Sequence, residues 1–298
     1  MEPKNTQKLA YNFKELCHSN PDLKPYVFVN KHQNETIDFS NPKAVKALNK
    51  AILFTDYGIK YWDFPDENLC PPIPGRAAYI NQLSNLLKSF PKDKTTHILD
   101  IGTGATCIYP LIGNALFEWT FTGTDVDENS LKHAQKIIDK NNLNSKITLK
   151  FQSSSYNIFK NIIGANDQFM ATICNPPFYE SQEAADKEHR KKLKGLGLEN
   201  DNSERNFSGK SNELWVQGGE LSFIKKYINE SFLFKNQCLW FTILVSKKEN
   251  IRKAKVALKK LNATEVRAMP LEQGHKISRI IAWTFLDEAE QKKWLKIN

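Results

Sequence analysis

From about residue 96 onward, short apolar runs alternate with longer segments in which apolar residues recur every three or four positions. Runs of the first kind predict buried β-strands, and the second kind of spacing predicts amphipathic helices. Alternating strands and helices are typical of βαβ units, so the sequence predicts an α/β fold with a doubly wound sheet. The predicted strands are 97–101, 119–124, 146–151, 169–174, 238–245, 264–268 and 279–285, and the predicted helices are 130–140, 220–234 and 248–261.

The first seventy-odd residues have a different pattern, in which prolines interrupt short apolar stretches. Asn41 and Pro42 predict the start of a helix, because Asn caps helix N-termini and proline is favoured at the first helical position. The proline-rich segment 70–75 indicates a boundary or a fixed extended segment, and another helix is predicted over 76–88. We therefore predict an N-terminal extension over residues 1–75 and a second domain over residues 76–298.

Composition and charge narrow the classes of protein. The 298 residues include 42 Lys and Arg against 33 Asp and Glu, and the net charge of +9 favours a polyanionic partner such as nucleic acid. The five cysteines form no CxxC pair and the six histidines no HExxH motif, which argues against a zinc ribbon or a dedicated metal site. A polar N-terminus, and no apolar run of roughly 18 residues, predict a cytoplasmic protein without membrane association.

Asp100 lies near the end of the strand 97–101, and the glycine-rich loop that follows contains Gly102, Gly104 and Thr106. The two glycines let the backbone turn sharply and approach a ligand, and the helix that follows offers free N–H groups to a polar or anionic group. A dinucleotide fingerprint requires glycine at 107, where Cys107 stands, and the GxGxG methyltransferase form requires it at 106. Neither fingerprint is complete, so an ordinary strand–helix turn stays open at this point.

An acidic residue ends the next predicted strand. Asp125 lies 21 residues beyond Gly104, the spacing at which a carboxylate takes the ribose hydroxyls of a nucleotide. The alternative role is a carboxylate at a helix N-terminus, which the helix dipole favours. Asp127 fits that alternative better, because it stands just before the predicted helix 130–140. We therefore assign Asp125 to the ribose.

The most specific motif is Asn175-Pro176-Pro177-Phe178, directly after the strand 169–174. Two prolines remove two backbone donors and fix φ near −65°. The Asn175 amide oxygen and the Pro176 carbonyl then form a rigid pair of acceptors, which suits a planar N–H₂ group, and Phe178 is placed to stack on the ring that bears it. The alternative is a proline-terminated strand followed by a core phenylalanine.

Together these residues resemble the S-adenosylmethionine-dependent amino methyltransferases of the N6-adenine type. The segments 74–80, 100–110, 141–143, 174–178 and 213–220 are more closely similar to the 23S ribosomal RNA (adenine(1618)-N(6))-methyltransferase family, and the similarity spans nearly the whole chain. The resemblance implies a Rossmann-like, seven-stranded class I methyltransferase fold and S-adenosylmethionine as cofactor, without a metal. It also implies methyl transfer to the N6 amine of one adenine in 23S ribosomal RNA.

The resemblance implies roles for individual residues. Arg76 would bind the methionine carboxylate, and the forked guanidinium group matches a carboxylate in shape and charge. From the residues alone, the alternative of a surface cation at the start of a helix stays open. Ser154 and Ser155 both follow the strand 146–151, and Ser155 is taken as the one that faces the adenine of the cofactor. The implied catalytic residues are Asn175, Pro176, Pro177 and Phe178, and the implied cofactor residues are Arg76, Asp100, Gly102, Gly104, Thr106, Asp125, Ser155 and Asn175.

Basic segments supply the predicted RNA contacts. A long polar loop after the catalytic motif begins with a basic run, and long loops of this kind are commonly functional. Its predicted RNA-binding residues are Arg190, Lys191, Lys192 and Lys194. The N-terminal extension interleaves lysines with Tyr11, Phe13 and Tyr26 and is predicted to contact RNA as well. The segment 247–260 carries seven Lys or Arg and one Glu, and its simpler interpretation is a solvated helix face.

Three other functions are weighed against this one. A protein glutamine methyltransferase also uses Asn-Pro-Pro with an aromatic residue to grip a planar amide, but the basic loops fit RNA better than a peptide. A non-catalytic RNA-binding platform is disfavoured by the intact motif 175–178. A nicotinamide dehydrogenase is disfavoured by Cys107. No obligate protein partner is expected, and free RNA and an assembly intermediate both stay open as the substrate.

Overall fold

A computed structural model describes residues 11–88, 90, 96–177, 181, 183, 216–273 and 276–297. The described strands are β1 (Val27–Val29), β2 (Glu35–Ile37), β3 (His97–Ile101), β4 (Thr120–Asp125), β5 (Ile147–Phe151), β6 (Phe169–Cys174), β7 (Cys238–Val245), β8 (Glu265–Gln273) and β9 (Lys276–Thr284). The described helices are α1 (Phe13–Ser19), α2 (Pro42–Tyr57), α3 (Ile73–Leu87), α4 (Ile108–Phe117), α5 (Glu128–Lys140), α6 (Gly219–Ser231), α7 (Lys248–Lys260) and α8 (Glu288–Ile297). Short 3-10 helices lie at Pro21–Tyr26 and Phe232–Phe234.

Seven strands form one mixed sheet in the order β5-β4-β3-β6-β7-β9-β8, and β1 pairs with β2 in a separate hairpin. The strands β3 to β7 run parallel, whereas β9 is antiparallel to both of its neighbours. The strand order reverses between β3 and β6, and open α/β sheets bind ligands beside such a point, at the carboxyl ends of the strands. The expected seven-stranded α/β fold is confirmed.

The element bounds follow the predicted pattern, with differences at the ends. Helix α3 begins at Ile73, three residues before the predicted start, because Pro74 lies in its first turn, where a missing N–H has no helical partner. Asn41 caps α2 by accepting the N–H groups of Lys43 and Ala44, as predicted. The last two strands are longer than predicted because their residues pair from Glu265 to Gln273 as one hairpin.

Two hydrophobic cores lie on the two faces of the sheet. Alternation along β3 sends Ile98 into the core beneath α2 to α5 and Leu99 into the core beneath α6 and α7. Asp100 shares the face of Ile98 because it is two residues further on, and it is fully buried there. The first core also contains Leu53 and Trp62, so the N-terminal segment packs against the same face of the sheet.

Side-chain hydrogen bonds fasten the N-terminal segment to that face. The Trp62 indole donates to the Thr106 carbonyl at 2.9 Å. The Asn141 side chain, at the end of α5, accepts the N–H groups of Lys60 and Tyr61 at 2.9 and 3.1 Å. The Trp62 bond joins the segment to the loop that precedes α4, so the packing of the segment bears directly on the glycine-rich loop, and the Asn141 bonds join the segment to the end of α5. The division of the chain near residue 75 stays a prediction.

The five cysteines are free thiols, and Cys107, Cys174 and Cys238 are buried. Within the described ranges, no helix has both the length and the apolar character that a membrane crossing requires. The same ranges contain no group of three or more metal-ligating side chains close enough to hold an ion.

Candidate active site

The glycine-rich loop turns over the carboxyl end of β4. Gly102 and Gly104 have φ values of +76° and +64°, a region that only glycine enters readily. The N–H groups of Gly102 and Thr103 both donate to the Thr124 carbonyl, at 2.9 and 2.8 Å. A Cβ atom on Gly102 would meet no heavy atom within 4 Å, so the outer surface of the loop is open to a ligand.

Asp125, at the end of β4, fixes this loop. Its carboxylate accepts the Gly104 N–H at 2.9 Å and the Asp127 N–H at 3.0 Å. Asp127 instead caps α5, where it accepts the Asn129 N–H at 3.1 Å and the Ser130 hydroxyl at 2.8 Å. The helix-capping role that the sequence assigned to Asp127 is confirmed. Asp125 lies at the strand end beside the open glycine loop, and its ribose role stays a prediction.

A buried carboxyl group lies beneath the loop. Asp100 is fully buried, and the Thr103 hydroxyl lies close enough to lower its pKa without forming a well-aligned hydrogen bond, so neither oxygen is satisfied among the described residues. Burial raises the pKa of Asp100 to about 7, the Thr103 hydroxyl and the Arg76 charge oppose this rise, and the Asp125 charge adds to it. A buried polar group without a partner is rare in a folded protein and marks a candidate ligand site.

The raised pKa of Asp100 gives a testable pH dependence. The pKa is 3.8 for an ordinary carboxyl and about 7 in the fold, so the folded state holds one proton more across this window. We expect the free energy of unfolding to fall as the pH rises from about 4 to 7, relative to an Asp100→Asn variant, and the difference to be constant above that window. Urea unfolding of both proteins across this range measures it. A difference in the free energy of unfolding between the two proteins that stays constant from about pH 4 to 7 would contradict the assigned pKa.

Arg76 lies on α3 beside the same carboxyl group. Its guanidinium carbon is 5.4 Å from the centroid of the Tyr109 ring, and its charge lowers the pKa of Asp100. Burial raises the pKa of Tyr109 to about 12, so this hydroxyl stays neutral. Arg76 is half-buried, and its role as the ligand of the methionine carboxylate stays a prediction.

Asn175 and Pro176 follow the last residue of β6, at the same edge of the sheet. The Asn175 side-chain oxygen is buried and has no hydrogen-bond donor among the described residues. Pro176 is buried and Pro177 is half-buried. Leaving a buried acceptor unpaired costs about 1–3 kcal/mol, so this oxygen is suited to a donor brought by a ligand.

Several predicted site residues lie outside the described residues. They are Phe178 and the four residues of the basic loop, Arg190, Lys191, Lys192 and Lys194. Their roles stay predictions.

The strands that lead into Asn175 separate before they end. The ladder between β6 and β7 stops at the pair of Ala171 and Trp240. Beyond it, the Thr242 N–H donates to the hydroxyl of Thr172 at 3.1 Å, and the Thr242 hydroxyl donates to the Thr172 carbonyl at 2.5 Å. Side-chain hydroxyl groups therefore replace a backbone ladder bond and hold the two strands apart.

Two buried tyrosines close this opening from opposite faces of the sheet. The Tyr227 hydroxyl, from α6, donates to the Thr172 hydroxyl at 2.7 Å and lies 3.2 Å from the Thr242 carbonyl. The Tyr79 hydroxyl, from α3, lies 3.0 Å from the Thr242 hydroxyl and donates to it, because that hydroxyl's own proton is used on Thr172. This network fixes the path of β6 just before Asn175.

The sequence analysis missed this network. Tyr79 and Tyr227 have the helical spacing of ordinary core residues. The sequence feature that could have indicated a buried hydrogen-bond network is the presence of Thr172 and Thr242 within strands that are otherwise almost entirely apolar.

The loop after β5 lies beside Asp125, because the Gln152 N–H donates to the Asp125 carbonyl at 2.9 Å. The Ser154 hydroxyl accepts the Tyr156 N–H at 3.3 Å. Ser155 is exposed, and its carbonyl accepts the Lys226 ammonium group at 2.9 Å. The loop is thus held between the end of β4 and Lys226 in the middle of α6. The choice of Ser155 as a ligand stays a prediction.

Sequence comparison connects the whole chain with RNA-modifying enzymes. A family model described as RNA methyltransferase matches residues 1–287. The ribosomal RNA large subunit methyltransferase F of Flavobacterium psychrophilum is 46% identical over 99% of this chain and 96% of its own length. The protein of the same name from Aeromonas salmonicida is 44% identical over 99% and 94%.

Structure comparison agrees with this result. The catalytic domain of human METTL16, solved in complex with the MAT2A 3'UTR hairpin 6, has a TM-score of 0.79 and 29% identity, and covers 97% of this chain and 98% of its own. The N-terminal domain of human METTL16, solved in complex with SAH, has a TM-score of 0.77 and 28% identity, with coverage of 96% and 99%. The fold is therefore that of a class I methyltransferase.

Proposed function

We propose that this chain, which belongs to the RNA methyltransferase family, transfers a methyl group from S-adenosylmethionine to the N6 amine of an adenine in 23S ribosomal RNA. The name of the ribosomal RNA large subunit relatives supports the RNA of that subunit as the substrate. The METTL16 domain solved with an RNA hairpin supports a structured RNA target. We place the reaction in the cytoplasm, where that RNA is assembled into ribosomes.

The residues at the sheet edge fit S-adenosylmethionine. Gly102 leaves room for a ligand to approach the backbone, and Asp125 offers a carboxylate suited to ribose hydroxyls. Arg76 fits the methionine carboxylate, and the partnerless Asp100 suits a positively charged or donating group of the same ligand. Because the solved METTL16 relative holds SAH, we propose the same cofactor class here.

The observation that carries the proposed chemistry is the unpaired Asn175 oxygen beside Pro176. The lone pair of an adenine N6 amine is delocalised into the ring, so the amine is a poor nucleophile. When bound, S-adenosylmethionine supplies a methyl group on a positively charged sulfur. The Asn175 oxygen and the Pro176 carbonyl accept the two N–H groups and stabilise the positive charge that develops on the nitrogen. The surplus proton leaves to water afterwards, so no strong base is required.

The target adenine must leave its helix to reach these acceptors, because N6 lies on the pairing edge of the base. Recognition of single-stranded or flipped bases commonly uses aromatic stacking, the role that we propose for Phe178. The basic loop with Arg190, Lys191, Lys192 and Lys194 and the N-terminal residues are proposed to hold the surrounding RNA.

Transfer from labelled S-adenosylmethionine tests the proposal. We expect the purified chain to label an unmodified 23S ribosomal RNA transcript, and nuclease digestion to yield N6-methyladenosine as the labelled nucleoside. A mixture of ribosomal proteins, assayed in parallel, tests the alternative of a protein glutamine methyltransferase. Label on glutamine residues of a protein, or on another nucleoside, would overturn the assigned target, and an unlabelled RNA would overturn the activity.

A further inference from the structure

A groove of about 950 Å³ lies between α6 and α7, away from the glycine loop. Both helices cover the face of the sheet opposite Asp100. The charged side chains along the groove are Lys225, Lys248, Glu249, Arg252, Lys253 and Lys260. Five cations and one carboxylate give the groove a strongly positive character.

The five cations form no ion pair with any residue in the part of the chain that the structure describes. Paired charges are typical of a helix face that serves only stability, whereas an unpaired row of one sign attracts a polyanion. Val256 is half exposed in the groove, and together with the lysine stems it offers an apolar surface to sugar rings.

The groove begins at the edge of the sheet where Asn175 lies. The Glu220 carboxylate, at the start of α6, accepts the Ser246 N–H at 2.7 Å and the Asn250 amide at 2.7 Å. These bonds fasten the first turns of α6 and α7 beside the carboxyl end of β7, which is parallel to β6. From Lys248 to Lys260 the cations extend about 18 Å along α7, at 1.5 Å per residue.

We propose that this groove binds the sugar–phosphate backbone of the RNA strand that flanks the target adenine. This inference rests on the proposed function, and it adds a second contact surface on the opposite face from the N-terminal segment. Phosphate contacts of this kind fix the position of a substrate without reading its sequence. A concave surface with spaced cations suits a single polyanionic strand, whereas a membrane surface requires a flat or convex face.

Two double variants on one helix test the groove. Arg252→Gln with Lys253→Gln removes two groove cations, and Lys255→Gln with Lys259→Gln removes two exposed lysines that do not line the groove. The probe is an unmodified 23S ribosomal RNA transcript, titrated from 50 to 300 mM salt. We expect the groove variant to lose about 10-fold or more in affinity near 0.1 M salt, and the slope of log K against log salt to fall by about 1.4–1.8.

Kinetics separates this inference from the proposed function. We expect the groove variant to raise the KM for RNA and to leave kcat at saturating RNA unchanged, and the control variant to match the parent. Equal salt slopes for the two variants, with methylation intact, would overturn the groove assignment alone. Tighter binding of the parent to polyglutamate than to RNA would overturn it in favour of an acidic protein partner. Absence of methylation by the parent would overturn the proposed function, while the binding titration would still report on the groove.

Discussion

Replacing Asn175 by alanine is expected to lower kcat for methyl transfer by a factor of about 10²–10³ and to leave the affinity for S-adenosylmethionine within a few-fold of the parent. The reason is that the side-chain oxygen is a buried acceptor without a partner in the described part of the fold. It is thus available to the amine, and its interaction strengthens as positive charge develops on the nitrogen. Removing it leaves positioning by Pro176 alone.

Stability separates this role from a structural one. A buried acceptor with no donor destabilises the fold. We therefore expect the free energy of unfolding of the alanine variant to be equal to or higher than that of the parent. The matched control is Asn129→Ala on the exposed surface of α5. Single-turnover rates, cofactor titration and urea unfolding on the three proteins provide the measurements. A variant that transfers methyl groups at the parental rate contradicts the assigned role.

Replacing Asp125 by alanine is expected to weaken the binding of S-adenosylhomocysteine by about 10- to 100-fold. Two effects act in the same direction. The variant loses the charged acceptor proposed for the ribose, and it releases the Gly104 N–H that shapes the glycine loop. A bond to a charged group contributes about 1.5–3 kcal/mol, which sets the magnitude.

Asp127→Ala is the matched control for Asp125, because it removes a carboxylate two residues away whose contacts are those of a helix cap. We expect that variant to lose about 1 kcal/mol of stability and to keep its cofactor affinity. Isothermal titration with S-adenosylhomocysteine and urea unfolding separate the two effects. Equal affinities of both variants for the cofactor product would remove Asp125 from the ligand site.

The apolar pattern predicted the centre of the large sheet well because its central strands are buried along their whole length. Residues 169–174 and 238–245 are apolar except for Thr172 and Thr242, and both are central strands. The order of the strands does not follow from such runs, and only the class of fold was expected from the resemblance to a family. The bounds of α3 could not be predicted from apolar spacing, because Pro72 and Pro74 mimic a linker while they occupy the start of a helix.

The candidate site was predictable where it depends on local sequence. Glycines with positive φ and an acidic strand end are local features, and the sequence placed both at the edge of the sheet. The hydrogen bond from the Gly104 N–H to Asp125 was not predicted. The burial of Asp100 and its missing partners depend on packing between distant segments. The same is true of the bond between Tyr79 and Thr242, which are 163 residues apart. No local pattern predicts such contacts.

Mass spectrometry of 23S ribosomal RNA from cells that carry or lack this protein detects the proposed modification itself. We expect one N6-methyladenosine to disappear when the protein is absent. We expect the parent chain to restore this modification and the Asn175→Ala variant to leave it missing. An unchanged set of methylated adenines, or restoration by the variant to the parental level, would contradict the proposed function.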